Sequence, residues 1–166
     1  MKIIRAGVIL ALFFSAASLS SCVGGNKNAN TQSTAAPSNR TGENPNLPKT
    51  NVEELGLLVN VPYETEDIVW KEYASQKRLL AVLRFSPADA AKLVAESEKI
   101  RSSESAAVSS ETWFPAELIA KSEMSGDDNL SGRSYAANQF FQEPYSSGQL
   151  VRIENTDYFV LDLTAK

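Results

Sequence analysis

The eight residues Arg78-Leu-Leu-Ala-Val-Leu-Arg-Phe85 constrain the fold most, because as an extended strand they are apolar on both faces. Successive side chains of a strand point to opposite sides, which sets Leu79, Ala81, Leu83 and Phe85 against Leu80 and Val82. A strand of this kind has to be covered on both sides, at least in part, and belongs at the centre of a sheet. Residues 67–73 read as a second strand, with Ile68 and Trp70 on one face and Val69 and Tyr73 on the other. Only residues 74–77 separate the two, which predicts an antiparallel hairpin.

A helix follows at once. Ser86 is placed to cap it, Pro87 suits its first position, and Asp89 supplies the capping-box carboxylate. It is expected to run to about Arg101, with Ala90, Leu93, Val94, Ser97 and Ile100 facing the sheet. Residues 102–110 read as a polar loop with a brief edge strand at 106–108. A second, shorter helix is expected over 115–122. Residues 149–154 and 157–164 read as paired strands around Asn155-Thr156, with Phe159, Leu161 and Leu163 on one face. A further strand is expected at 138–142. The order predicts an α+β domain with a mostly antiparallel sheet of about five strands, one main helix and one short helix. Both tryptophans, all five tyrosines and five of the seven phenylalanines fall within residues 51–166, enough for one core.

The amino-terminal third has another character. Lys2 and Arg5 precede a 12-residue apolar run, Ala6 to Ala17, broken only by Ser15. As a helix it reaches about 18 Å, short of the roughly 30 Å of a bilayer core, so it reads as a signal segment rather than a span. From Val23 to Thr50 the chain is rich in Asn, Ser, Thr, Pro and Gly, with Val23 and Leu47 its only sizeable apolar side chains. Too little surface can be buried there to offset ordering, so a disordered tether of roughly 30 Å mean reach is expected.

Leu19-Ser20-Ser21-Cys22, directly after the apolar run, resembles the lipobox of bacterial lipoproteins: a branched residue, two small residues, then cysteine. The resemblance covers residues 1–22, and with it the expected domain bounds are 1–21 signal peptide, 22–50 lipidated cysteine and disordered tether, 51–166 a single α+β domain. It implies that the Cys22 thiol is lipidated, that cleavage makes Cys22 the mature amino terminus, and that acyl chains anchor the protein in the cell envelope. Two or three chains on one residue make detachment slow. In a cell with two membranes that sorts lipoproteins by the residue after cysteine, Val23 rather than aspartate implies the outer membrane, facing the periplasm.

Chemistry is constrained mainly by what is missing. The chain has no histidine and one cysteine, which removes Ser-His-Asp and Cys-His mechanisms, an internal disulfide and the usual zinc sites. No phosphate loop, Gly-x-Ser-x-Gly or Ser-x-x-Lys occurs, so no cofactor is expected. Residues 51–166 carry 11 basic and 19 acidic side chains, a net charge of −8 that makes nucleic acid a poor partner. Trp113 and Phe114 are candidates for stacking on a ligand, although burial as a plug beneath the next helix is the simpler reading. Asp127, Asn129 and Ser131 alternate as in a calcium loop. Asn138, however, stands where the bidentate carboxylate belongs, so a polar turn without metal is expected. Glu111, Glu117, Asp157 and Asp162 are the carboxylates from which a glycosidase pair would be drawn, with Asp162 expected on an outward strand face. The residues point first to a non-enzymatic envelope module that binds a protein or polysaccharide, or supports an assembly. A small carboxylate-dependent hydrolase of envelope polysaccharide is the alternative.

Overall fold

Strands β1 (Thr65–Tyr73) and β2 (Arg78–Phe85) form the expected antiparallel hairpin, with Ile68 opposite Leu83 and Tyr73 opposite Arg78. A single 3-10 turn at Ala74–Gln76 and Lys77 at φ 50° reverse the chain between them. The computed structural model describes residues 47–126 and 128–166. The signal segment, Cys22 and the tether up to residue 46 lie outside the described residues. Ser86 caps α2 (Pro87–Glu98) as its sequence predicts: its hydroxyl accepts from the Asp89 backbone N–H at 3.2 Å and donates to the Asp89 carboxylate at 2.9 Å. Two shorter helices, α1 (Val52–Gly56) and α3 (Ala116–Ser125), accompany it.

The sheet has six strands rather than five. β3 (Glu104–Ser109), β4 (Asn129–Ala136), β5 (Tyr145–Ile153) and β6 (Tyr158–Ala165) join the hairpin in the order β1-β2-β6-β5-β4-β3. Every neighbouring pair is antiparallel. The strand expected at 138–142 is replaced by a 3-10 turn at Asn138–Phe140 whose Phe140 is buried; the strand lies upstream, at β4. β4 hides its alternation because three of its positions on one face are Gly132, Ser134 and Ala136. Gly132 has no room for a side chain, since a Cβ there would meet the Arg152 carbonyl and the Val151 side chain.

β2 is covered on both faces. On the first face Leu79, Leu83 and Phe85 pack with Phe159, Leu161 and Leu163 under α1, α2 and the turn at Phe140. On the second face Leu80 and Val82 join Val160, Leu130, Phe114 and Leu118 of α3. Ala90, Leu93 and Ser97 of α2 are buried as expected, but Ile100 is 54% exposed. The helix stops at Glu98, so Ile100 leaves its apolar stripe. Order also begins before residue 51: Lys49 exchanges backbone hydrogen bonds with Trp70 of β1 at 2.7 and 2.8 Å, and Asn51 caps α1 through Glu53 and Glu54. Trp70 Nε1 donates to the Asn51 carbonyl, tying this segment to the core.

Candidate functional site

Helix α3 packs against only one end of the second face. At the other end every strand of the sheet contributes at least one polar or half-polar side chain, among them Tyr73, Arg78, Asp162, Gln149, Ser134 and Glu104. Their positions follow from the register, since Tyr73 faces Arg78, Asp162 faces Gln149, and Ser134 faces Glu104. With strands about 4.8 Å apart, six of them make a row about 24 Å long. The β3–β6 part of this row borders a trough of about 450 Å3 lined by Arg101, Glu104, Ser134, Gln149, Asp162 and Thr164.

The row is internally bonded. Arg78 and Asp162 form a two-pronged ion pair, Nε to Oδ1 at 2.7 Å and Nη2 to Oδ2 at 3.0 Å. Each side chain is about 30% exposed, so the pair fixes geometry more than it stabilises the fold. Hydrogen bonding to Asp162 raises the pKa of Arg78 further, against the cost of its burial. Arg101 Nη2 donates to Ser134 Oγ at 3.3 Å, and that hydroxyl donates to Gln149 Oε1 at 3.2 Å. The chain of bonds holds Gln149 by its amide oxygen; among the described residues its amide N–H groups have no partner.

An aromatic group closes the β1 end. Trp113 Nε1 donates to Tyr73 Oη at 3.3 Å, and the Arg78 guanidinium lies 5.8 Å from the Tyr73 ring centroid. Burial pushes the Tyr73 hydroxyl above its usual range; the Trp113 N–H opposes this, and the Glu111 charge adds to it. Trp113 and Phe114, the candidate stacking pair, meet edge to face at 4.8 Å. Phe114 is 4% exposed and belongs to the core beneath α3, whereas Trp113 is only partly covered. Burial takes Phe114 wholly and leaves one part of Trp113 at the surface.

Of the four candidate carboxylates, two come to this end of the molecule: Asp162 bonds Arg78, and Glu111 acts on both Arg78 and Tyr73. Asp162 is on the face away from Leu161 and Leu163, as its alternation predicts, but that face is not fully open. It lies on the second face, next to the part that α3 covers, and is half-buried. The other two are elsewhere, Asp157 on Arg152 at 2.9 Å and Glu117 in the neighbourhood of Tyr158. The polar turn expected around 127–132 is shorter than that. Asp127 lies outside the described residues, while Asn129 and Ser131 are already in β4, opposite Ser109 and Ala107. The Ser109 hydroxyl donates to Asn129 Oδ1 at 3.2 Å. Their alternation is thus the period of a strand. Among the described residues, no group of three or more Cys, Asp or Glu side chains is placed to hold a metal ion.

No protein-family model matches the chain, and neither a curated protein nor a solved structure is similar to it. Among the described residues no helix is long and apolar enough to cross a membrane.

Proposed function

We propose that the protein is a lipid-anchored lipoprotein of the cell envelope whose domain is a non-enzymatic module binding a polar envelope polymer, a polysaccharide in the first instance. The observation that carries the binding part is the polar row across all six strands, with Tyr73 and Trp113 at one end. Fixed donors and acceptors along a trough, with an aromatic edge, suit an extended chain of hydroxyl-bearing units better than a compact apolar ligand. Binding is favoured over hydrolysis because both oxygens of Asp162 are engaged by Arg78. A general acid or base needs an oxygen free to reach its substrate.

Co-sedimentation of the detergent-solubilised full chain with insoluble envelope polysaccharide tests the reading. The protein is expected in the pellet, and Gln149→Ala is expected to weaken retention about tenfold while leaving the melting temperature unchanged. Equal retention of the variant, or none of either protein, would remove the trough as the site. Release of soluble sugar by the intact protein, lost in Asp162→Asn, would replace binding by the hydrolase reading.

The anchor rests on the lipobox resemblance and on the lone cysteine at its only useful place. Mass spectrometry of the protein purified from its own membranes is expected to show Cys22 as the amino terminus, carrying lipid. A different first residue, or an unmodified thiol, would refute the anchor. In a two-membrane cell, Val23 directs the protein to the outer membrane, and recovery in the inner-membrane fraction would count against that address.

A further inference from the structure

We propose that the first face of the sheet carries a second binding site, independent of the trough, for a small zwitterion with a free carboxylate and a free ammonium group, such as a short peptide. Its centre is a pair of arginines. Arg133 of β4 and Arg152 of β5 stand directly opposite each other on adjacent strands, on the same face as Tyr135 and Leu150. Like charges in this position repel. Both line a cavity of about 420 Å3 beside Tyr135 and the β5–β6 turn at residues 154–157.

The two guanidinium groups are held in matching ways. Arg133 donates from Nε and Nη2 to the Ser103 hydroxyl at 3.1 and 2.8 Å, and from Nη2 to the Ser103 carbonyl at 3.2 Å. Arg152 donates from Nε to the Thr156 carbonyl at 3.3 Å and from Nη2 to Asp157 Oδ1 at 2.9 Å. It also lies 5.7 Å from the centroid of the Phe159 ring beneath it. Among the described residues, neither Nη1 has a partner. Two fixed guanidinium groups, each with an unused nitrogen and both on residues that line one cavity, make a seat for a carboxylate with little ordering cost.

The rest of the lining decides the ligand class. Asp157 offsets Arg152, so the charges left over in the cavity are Arg133 and Glu154, one of each sign. The Glu154 side chain has no hydrogen bond or ion pair among the described residues. It sits at the turn that ends β5, where Asn155 adopts φ 58°. A cavity that is neutral overall, in a domain of charge −8, is a poor host for a dianion such as phosphate. It suits a ligand that is itself neutral overall but charged at both ends, with its carboxylate on the arginines and its ammonium toward Glu154.

Calorimetric titration of the detergent-solubilised full chain with diglycine, acetyl-diglycine and diglycine amide tests this. Diglycine is expected to bind saturably, acetyl-diglycine about tenfold more weakly, and diglycine amide not detectably. Arg133→Gln is expected to lower diglycine affinity at least tenfold. Glu154→Gln should weaken diglycine but leave acetyl-diglycine unchanged. Both side chains are at the surface, so unaltered melting curves will show that the variants fold. No saturable heat with diglycine, or wild-type affinity in Arg133→Gln, would overturn the site. Unchanged diglycine binding in Glu154→Gln would overturn the zwitterion.

Discussion

Gly148→Ala is expected to destabilise the protein by about 2–6 kcal/mol, a large share of the roughly 5–15 kcal/mol that holds an ordinary domain folded. Two costs add. Gly148 has a φ of 142°, a conformation that costs a residue with a side chain about 1–3 kcal/mol. A Cβ there would also strike the Asp162 carbonyl and the Leu163 Cα across the β5–β6 ladder. Neither is the yielding end of a flexible side chain, so the strands must part, at a further 1–3 kcal/mol or so. Urea unfolding of the full chain measures the change. A loss below about 1 kcal/mol would mean that β5 can slide to a second register.

Phe159→Ala should cost about 3–5 kcal/mol, the usual penalty for deleting a buried aromatic ring. Phe159 is fully buried on the first face and meets Phe85 edge to face at 5.7 Å. In a double-mutant cycle with Phe85→Ala, a coupling of about 0.5–1.5 kcal/mol is expected from that ring pair. Additive losses would show that the rings contribute only their separate burial. Phe159 also supports Arg152, so the single variant should loosen the arginine pair before the fold is lost.

The parts of this fold that were legible in the sequence are those where periodicity and chemistry agreed. β1 and β2 have the inside–outside assignment their alternation predicts, down to Ile68 and Trp70 against Val69 and Tyr73. The start of α2 is written in Ser86, Pro87 and Asp89. Its end was harder to read, because no glycine marks the stop and Ile100 continues the apolar spacing. α1 is five residues long, below the length at which a stripe is visible, and only the Asn51 cap advertises it. β4 was missed because Gly132, Ser134 and Ala136 give no hydrophobic signal and because Asp127, Asn129 and Ser131 mimic a turn.

The trough was legible only in fragments. Trp113 and Asp162 drew notice for separate reasons, as a ring at a helix start and a carboxylate in an apolar strand. Nothing local joins them to Arg78, Ser134 or Gln149, which come from different strands and meet only through the register. The arginine pair is of the same kind. Arg133 and Arg152 are unremarkable in sequence, and their opposition is a property of the β4–β5 alignment alone.

The strand order also governs when the domain can form. β2 is neighboured by β1 and by β6, and β6 follows every other strand of the sheet in sequence. Arg78 and Asp162, which meet across that central pairing, are 84 residues apart. Closing such a loop costs about 4 kcal/mol of chain entropy before any contact repays it. Until the final strand is available, the β1–β2 hairpin has one side of its most apolar strand uncovered and no way to complete the sheet. Folding therefore waits for β6 and is slow by the standards of local topologies. If the chain is exported as proposed, that delay is an advantage: it keeps the domain extended and threadable until β6 has been made.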